Sequence, residues 1–404
     1  MQKPEKISIV ICADLNLRAS IAVMRALRSE KVDVIIGVSN YISAFLTMPG
    51  LLGTIKLWKK IWFYNATSEQ KFVESLANLG SRSSSPLIFF PMGEKVLRWA
   101  IKNKENLKDF YITVPSHRID DYERVSNKES FLEISRNFKL DTPEELSKFP
   151  EVYSFPYVIK ARKVSWGISD VLEAPVLVRN ESTHQIIKKK NLRRSEHIYQ
   201  NYIDGPSFYY CALFNEGNLM LKFVQQTIIQ QPGGKSVVCA VPSEIPEEVR
   251  KKIDEIFKSL KWSGALMVEL KYFSGKFYII ECNPRLWGPL QCAVDNDVNF
   301  PLMLYKMMSG NAIEANLSNE PIRNGFIWLW GLIDGLFYLF SSGTAYQIYP
   351  AKLRGVRFKD VWFRLDSILF FLLEPFILLL HWALLVIKFF IKKFISRRNG
   401  TLTQ

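Results

Sequence analysis

Cysteine and histidine are scarce in this chain of 404 residues, which has five cysteines and four histidines. No two cysteines form a Cys-x-x-Cys pair, and their odd number argues against a framework of disulfide bonds. We find no Ser–His–Asp or Cys–His set for nucleophilic catalysis. Zinc-finger spacing and a dense basic–aromatic repeat are also absent, so the sequence gives little support to binding of nucleic acid.

Near the N-terminus, the sequence also shows neither the pattern of a signal peptide nor the glycine motif of a dinucleotide-binding site. The polar residues 1–6 lead directly into a short β-branched run, so no signal peptide is predicted. The glycine fingerprint of a dinucleotide site does not follow that first strand. We therefore expect a reduced, cytosolic main body, and we do not assign a dinucleotide cofactor to its first domain.

The composition is otherwise that of a globular protein. Hydrophobic residues make up 48% of the chain and aromatic residues 13%, which excludes general disorder. A length of 404 residues predicts two or three domains. The formal net charge of +14 suits anionic substrates or a membrane surface.

The pattern of apolar residues predicts a mixed α/β protein. A strand–helix–strand order over residues 7–36 indicates a parallel α/β sheet. Further along, two pairs of apolar runs flank short turns, Asn-Glu-Gly-Asn at 215–218 and Ser-Gly at 274–275. Each of these arrangements predicts a β-hairpin, because the turn residues tolerate the left-handed backbone conformation that a tight turn needs.

The second hairpin carries the most informative residues of the chain. Glu269 and Glu281 lie twelve positions apart on its two strands, and Asn283 and Arg285 follow. Hard oxygen ligands of this kind suit Mg²⁺ that nucleotide phosphates also hold, and an arginine can brace a phosphate oxygen. The alternative is a set of solvent-facing charges on an amphipathic hairpin. Apolar residues around Glu281 favour the metal site.

Lys160 and the strand at residues 198–203 are further candidates. Lys160 ends an apolar strand, where its ammonium group could reach phosphate oxygens or simply extend toward solvent. Residues 198–203 suit an adenine slot in which Gln200 reads the edge of the ring, although the same pattern fits an ordinary strand. The loop at residues 163–167 could cover phosphates through its backbone amides.

Six segments occur in an order that is specific as a set. They are Lys128 ahead of Phe131, Phe155-Pro156-Tyr157-Val158-Ile159-Lys160, Gln200 through Gly205, Gly264-Ala265-Leu266-Met267-Val268-Glu269, Glu281-Cys282-Asn283-Pro284-Arg285-Leu286-Trp287-Gly288, and Val298-Asn299-Phe300-Pro301. Over roughly residues 5–310 the chain thereby resembles the ATP-grasp superfamily, in particular its carbamoyl-phosphate-synthase-like, carboxylate–amine ligase branch. The resemblance implies an N-terminal parallel α/β domain and two α+β subdomains that clasp ATP.

The resemblance also implies roles for individual residues. The implied ATP contacts are those of Lys128 and Lys160 with phosphates, of Ser165 and Gly167 in the covering loop, and of Gln200, Asn201 and Ile203 with adenine. The implied ligands of Mg²⁺ or Mn²⁺ are Glu269, Glu281 and Asn283. Arg285 and Lys160 would act in catalysis by stabilising the phosphoryl group in transfer.

The chain departs from the pattern of the superfamily at two places. Ser207 stands where relatives often place an acid that holds the ribose of ATP. Residues 227–232 lack the basic residue that many relatives have there, and Lys235 is a candidate replacement. The second departure concerns the acceptor or phosphate side of the site, and leaves the metal ligands untouched.

The activity that the resemblance implies starts with transfer of the γ-phosphoryl group of ATP to a carboxylate. An amine then attacks the acyl phosphate and releases phosphate, and catalysis rests on positioning and charge neutralisation. The implied partners are a small carboxylate and a small amine. Two alternatives stay open: an idle ATP-binding scaffold, and phosphorylation of a carboxylate or bicarbonate without amide formation.

The last part of the chain is apolar and ends in basic residues. Residues 367–387 are long enough to span a bilayer, but Glu374 and Pro375 interrupt them. A single tail anchor, an interfacial or re-entrant helix pair, and burial in a soluble oligomer are the three interpretations. The basic residues at 388–398 favour the second, because they and the ATP-using body belong on the same side of a membrane.

These patterns divide the chain into three regions. We predict a pre-ATP-grasp α/β domain at 1–118, an ATP-grasp domain at 119–312 and a hydrophobic helical region at 313–404. We expect the third region to attach the protein to the cytoplasmic face of a membrane, where a membrane-proximal or cell-envelope substrate would be available.

Overall fold

The computed structural model of the chain describes residues 7–30, 32–51, 58–115, 118–146, 155–162, 175–189, 196–234, 236–311, 324–342 and 345–398. The N-terminal part is a parallel sheet in the order β3-β2-β1-β4-β5. Its strands are β1 (Ser8–Cys12), β2 (Val34–Val38), β3 (Trp58–Phe63), β4 (Leu87–Phe89) and β5 (Ile112–Thr113). The predicted parallel α/β sheet is therefore present.

Helices connect these strands and lead into the next domain. Asn16 caps the first helix and Asn127 caps the seventh, each through its side-chain oxygen, as expected for residues that satisfy free N–H groups at a helix start. The helices are α1 (Leu17–Ala26), α2 (Tyr41–Leu51), α3 (Glu69–Ser81), α4 (Glu94–Lys102), α5 (Lys104–Lys108), α6 (Ile119–Ser126) and α7 (Lys128–Asn137).

A small antiparallel sheet follows, in the order β7-β6-β8. It consists of β6 (Tyr157–Ala161), β7 (Val176–Val178) and β8 (His197–Asn201), with helix α8 (Glu181–Lys189). Its own hydrophobic core is small and includes Tyr157, Ile159 and Tyr199. The strand that ends in Lys160 and the strand that contains Gln200 are thus direct neighbours in one sheet.

A large eight-stranded sheet forms the centre of the molecule. Its first five strands are β9 (Ser207–Asn215), β10 (Asn218–Gln230), β11 (Val237–Pro242), β12 (Gly264–Phe273) and β13 (Lys276–Asn283). Helices α9 (Glu247–Ser259), α10 (Leu290–Val294) and α11 (Phe300–Met308) accompany them. Both predicted hairpins are present, and their turn residues Glu216, Gly217, Ser274 and Gly275 all have positive φ angles, as type I′ turns require.

The C-terminal region contributes strands as well as helices, which the sequence interpretation missed. It contains β14 (Asn324–Ile327), α12 (Leu329–Ser342), β15 (Gln347–Ile348), β16 (Arg357–Asp360) and α13 (Ile368–Arg398). Strand β14 pairs with β11, and β16 pairs with β14. The apolar run at residues 326–340 begins in β14 and continues in α12, and short apolar runs in a sequence do not distinguish a buried strand from a helix.

Across the described part of the chain, none of the helices has the length and apolarity that a membrane crossing needs. The single tail anchor considered above is therefore not supported. Glu374, which interrupts the apolar run, is 4% exposed and accepts a hydrogen bond from the indole N–H of Trp328 at 2.9 Å. The first half of α13 packs on the protein through this contact, which explains how a carboxyl group is tolerated there.

One hydrophobic core joins all three regions. It includes Ile9 and Ala22 of the N-terminal domain, Tyr209 of the large sheet, and Phe326 and Phe370 of the C-terminal region. A second core lies on the other face of the large sheet, where α7 and α9 pack. The large sheet is thus covered on both faces. Polar residues on the face that the shared core covers are therefore surrounded by apolar side chains.

Candidate functional site

A row of polar side chains crosses four adjacent strands of the large sheet. Glu281 on β13 lies opposite Glu269 on β12, Glu269 opposite Tyr209 on β9, and Tyr209 opposite Gln225 on β10. Side chains that face each other in this way lie on the same side of a sheet. The row therefore brings the two predicted metal-binding carboxylates together on one face.

A β-bulge produces this alignment. Strands β12 and β13 pair residue for residue from the Ser274–Gly275 turn up to Leu270 and Ile279, and the register then shifts so that Glu269 faces Glu281. Ile280 is the extra residue. If the strands paired without the bulge, Glu269 would face Ile280, and Glu281 would point to the opposite side of the sheet.

The predicted metal ligands are connected by hydrogen bonds. The Ser207 hydroxyl donates to Glu269 Oε1 at 2.9 Å, and Asn283 Nδ2 donates to Glu281 Oε1 at 3.0 Å. Arg285 Nη2 donates to Asn283 Oδ1 at 3.2 Å. Glu281, Asn283 and Arg285 thus form one chain of hydrogen bonds, and Ser207 separately holds Glu269, which faces Glu281 across the strand pair.

Two lysines from different elements supply positive charge to this unit. The Nζ atom of Lys128, at the start of α7, lies 3.3 Å from Glu281 Oε2. Lys160, on β6 of the small sheet, is 7% exposed and interacts electrostatically with both Glu281 and Glu269. The structure thus brings together Lys128, Lys160, Glu269 and Glu281, which are separated by up to 153 positions in the sequence.

Burial and mutual repulsion shift the ionisation of these groups. Burial would raise the pKa of Glu281, but Lys128 and Lys160 overcome it and lower that pKa to about 2. Burial, and then repulsion by Glu281, raise the pKa of Glu269. Burial also lowers the pKa of Lys160 to about 8, although Glu281 opposes it. A divalent cation between the two carboxylates would relieve the repulsion between them.

The donor set fits a magnesium ion better than a transition metal. In the described residues there is no cluster of three or more His, Cys, Asp or Glu side chains that could hold a metal. Two carboxylates and an amide oxygen remain, which is the small set of hard ligands that Mg²⁺ shares with phosphate oxygens and water. Glu269, Glu281 and Asn283 therefore fit the ion that the sequence analysis predicts, and their roles stay predictions.

The predicted adenine contacts lie where β8 runs into the connection to β9. Gln200 is buried and its Oε1 atom has no hydrogen-bond partner in the described structure. The backbone N–H of Asn201 donates to the carbonyl of Glu144 at 3.0 Å, so it is not available to a ligand. The N–H of Ile203 has no partner among the described residues, which leaves it free to donate to a ring nitrogen.

Three predicted residues cannot be placed in this arrangement. Ser165 and Gly167, the candidates for a covering loop, lie outside the described residues, and so does Lys235. Ser207, the candidate for a ribose contact, is fully buried and bonded to Glu269. Its hydroxyl therefore positions a carboxylate, and a ribose contact through Ser207 would require that bond to break.

Sequence reasoning missed Glu94, Lys271 and Tyr209. Glu94, in the first turn of α4, is acted on electrostatically by Arg285, Glu281 and Lys128, and burial raises its pKa. Lys271 Nζ donates to the carbonyl of Gly205 at 2.9 Å and lies 5.7 Å from the ring of Tyr202. Lys271 could have been found as the second residue after Glu269, on the same strand face, whereas Glu94 carries no signal in the sequence.

Comparison with known proteins relates part of the chain to a described family. Residues 125–289 match the ATP-grasp domain family. The carbamoyl phosphate synthase large chain of Methanothrix thermoacetophila is 24% identical over 193 residues, which are 45% of this chain and 17% of that protein. The chain thus spans about a sixth of the length of this curated relative.

Solved structures share the fold at low sequence identity. The L-amino acid ligase of Bacillus licheniformis is 15% identical, with a TM-score of 0.55 over 77% of this chain and 76% of that chain. The biotin carboxylase domain of the Hydrogenobacter thermophilus 2-oxoglutarate carboxylase, solved with MgADP, ADP and bicarbonate, is 14% identical, with a TM-score of 0.58 over 78% and 72%. The chain therefore shares the fold of these enzymes, and residues 125–289 within it match the ATP-grasp domain family.

Proposed function

We propose that this protein is an ATP- and Mg²⁺-dependent ligase that activates a carboxylate as an acyl phosphate and joins it to an amine. The observation that carries the proposal is the half-buried Glu269–Glu281 pair, which faces Lys160 from the small sheet and Lys128 from α7. Acids and lysines that converge in this way match the needs of phosphoryl transfer, where charge on phosphate oxygens must be neutralised from several sides.

The residues divide the chemical work between them. Glu269, Glu281 and Asn283 would hold Mg²⁺, which when bound neutralises phosphate charge and orients the γ-phosphoryl group. Lys160 and Lys128 would bind phosphate oxygens. Arg285, held against Asn283, would stabilise the phosphoryl group as its bond to ADP breaks and its bond to the carboxylate forms. The amine then attacks the acyl carbon, and phosphate leaves.

The first test is release of ADP by the full-length protein. Pools of amino acids, amines, bicarbonate and envelope sugar precursors are supplied with ATP and Mg²⁺, and ADP is measured. We expect ADP with one pool and at least a hundredfold less with Glu281→Gln. Glu133→Gln, which changes an exposed carboxylate on α7, should behave as the wild type. ATP binding without ADP release from any pool would instead favour the idle scaffold.

A second candidate is phosphorylation of bicarbonate or a carboxylate without amide formation. The similarity to a biotin carboxylase domain that was solved with bicarbonate favours it. The mass of the product separates the two reactions, because amide formation retains both the carboxylate and the amine in one molecule. A product without nitrogen from the amine pool would select this second candidate.

We also propose that the protein attaches to the cytoplasmic face of a membrane without crossing it. Leu372, Phe376 and Leu379 of α13 are spaced by four and three residues, and each is more than half exposed. Phe340 of α12 is 83% exposed. Exposed apolar side chains on one helical face, followed in the sequence by basic residues at 388–398, are typical of helices that lie in a lipid interface.

Vesicle flotation tests this attachment. We expect the full-length protein to float with vesicles of phosphatidylglycerol and phosphatidylcholine, and less with phosphatidylcholine alone. Changing Phe376 and Leu379 together to serine should abolish flotation while ADP release continues. Unchanged flotation of that variant would reject the proposal. A wild-type dimer in gel filtration that the variant converts to a monomer would show that a second copy covers the face.

A further inference from the structure

Arg18 stands at the switch point of the N-terminal sheet. It is the second residue of α1, which follows the central strand β1 after a short 3-10 turn at Ala13–Leu15. Strand β1 has β2 on one side and β4 on the other, so the chain connections leave β1 and β4 in opposite directions. In open parallel sheets of this kind, ligands bind in the crevice at the carboxyl ends of such strands.

The same position lies against the loop that follows the metal-ligand motif. A Cβ atom at Gly288 would stand 3.3 Å from Arg18 Nη2, and Gly288 is three residues past Arg285. The backbone N–H of Leu286 donates to the carbonyl of Pro91, in the loop after β4, at 3.1 Å. The crevice of the N-terminal sheet and the candidate phosphoryl-transfer site are therefore adjacent.

The guanidinium group of Arg18 is held in place by backbone and ring contacts, and Glu374 and Asp334 act on it electrostatically. Its Nη1 atom donates to the carbonyl of Val237 at 2.8 Å, and the group lies 4.3 Å above the ring of Trp328. Among the described residues it forms no salt bridge. Arg25, on the same helix, differs sharply: it forms a two-pronged ion pair with Asp366 and three further hydrogen bonds.

The acids near Arg18 are engaged elsewhere. Glu374 accepts from Trp328, and burial raises its pKa to about 8, so that it is largely protonated at neutral pH. The two oxygens of Asp334 accept hydrogen bonds from Gln231 and Trp382. Burial lowers the pKa of Arg18 to about 10, which leaves it positively charged at neutral pH, and its Nε and Nη2 atoms have no partner among the described residues. An arginine with free donors on one edge suits a planar, bidentate anion.

We propose that Arg18 binds a carboxylate group of the non-nucleotide substrate and so determines specificity at the acceptor side of the site. The proposal rests on the proposed ligase function, and it names the charge of that substrate. Lys128 and Lys160 meet the triphosphate from α7 and the small sheet, whereas Arg18 approaches from the N-terminal sheet. It also accounts for the basic residue that is absent from 227–232, because the Arg18 guanidinium contacts Val237 on β11, the strand that pairs with β10 up to Gln230.

Direct binding tests the site independently of turnover. Saturation-transfer NMR is recorded on the full-length protein with MgADP and with acetate, glycine or succinate, and acetamide serves as the uncharged analogue. We expect transfer to at least one carboxylate but not to acetamide. Arg18→Gln should lose that signal, Arg18→Lys should retain a weaker one, and Arg82→Gln, which alters an exposed arginine after α3, should retain it fully.

Kinetics supply the second readout. With the substrate pool that supports ADP release, Arg18→Gln should raise the KM for the carboxylate-bearing substrate at least tenfold and change the KM for ATP less than twofold. Wild-type binding to none of the carboxylates, or equal binding by Arg18→Gln with an unchanged melting temperature, would overturn the proposal. Arg18-dependent binding without ADP release from any pool would reject the ligase function while the carboxylate site stands.

Discussion

Lys160 and Glu281 show how far single residues can be understood from the sequence. Their types and spacing predicted phosphate and metal contacts, and the structure places them in electrostatic contact. The bulge at Ile280, which turns Glu281 to the face of Glu269, could not be predicted, because a two-residue turn alone sets a register that puts them on opposite faces. Arg18 and Glu94 were missed since long-range packing alone gives them a role.

Replacing Lys160 with glutamine tests whether the positive charge of its side chain contributes to phosphoryl transfer. The side chain is buried beside Glu281, so its loss removes a phosphate contact and leaves the carboxylate less compensated. We expect kcat/KM for ATP to fall about a hundredfold, or about 2.7 kcal/mol of transition-state stabilisation. Lys71→Gln on the exposed surface of α3 is the matched control. An equal effect of both changes would speak against a role in phosphoryl transfer.

At the scale of elements, the connection between the small and large sheets depends on close backbone contact. Gly205 lies between β8 and β9, and a Cβ atom there would stand 1.8 Å from the carbonyl oxygen of Tyr272. Asp204-Gly205-Pro206 is a sequence typical of a turn, but nothing in it indicates that another strand passes so near. Hairpin positions were predictable from local turn chemistry, whereas this contact depends on how two sheets meet.

Replacing Gly205 and Gly275 with alanine, one at a time, distinguishes the cost of steric overlap from the cost of an unfavourable backbone conformation. Gly275 has a φ angle of 84° and nothing within 4 Å of an added Cβ atom, so alanine there should lower the free energy of unfolding by about 1 kcal/mol. At Gly205 the overlap with backbone forces the two strands apart, and we expect about 3 kcal/mol. Urea unfolding of both variants measures the difference, and equal losses would contradict the contact.

Helix α13 should make stability depend on pH through Glu374. Burial raises the pKa of this carboxyl from 4.5 to about 8 in the folded protein. The folded state therefore holds a proton that the unfolded state releases, and stability falls as pH rises between these values. In Glu374→Gln, which can still accept from Trp328, the fall between pH 6 and 8 should be smaller by about 2 kcal/mol. If urea unfolding showed the same loss of free energy of unfolding between pH 6 and 8 in the wild type and in Glu374→Gln, the result would contradict this.

At the scale of the whole molecule, the C-terminal region is part of the same folded body as the other two regions. Strands β14 and β16 extend the large sheet beyond β11, and Phe326 and Phe370 lie in the core shared with the N-terminal domain. The sequence predicted a separate hydrophobic region there, because its apolar content was visible but its pairing partners were not. The composition of a segment indicates that it is buried, whereas only the fold shows which residues it packs against.

Truncation tests this integration. A chain that ends at residue 320 lacks β14, exposes the edge of β11 and opens the shared core, so it should be insoluble or lose its cooperative unfolding transition. A chain that ends at residue 398 keeps every described element and should unfold like the full-length protein. Circular dichroism and solubility after expression distinguish the two. A soluble, fully cooperative protein of 320 residues would contradict the shared core.

The outer strand β16, which ends at Asp360, has a consequence for synthesis on the ribosome. Domains usually fold in the order in which they emerge, yet the central sheet of this protein receives its last strands only after most of the chain has been translated. Until then the nascent chain carries the open edge of β11 and the apolar face that Phe326 later covers. We therefore expect chaperones to engage the nascent chain until residues 324–360 have emerged, and a ribosome paused before residue 324 to hold an aggregation-prone intermediate.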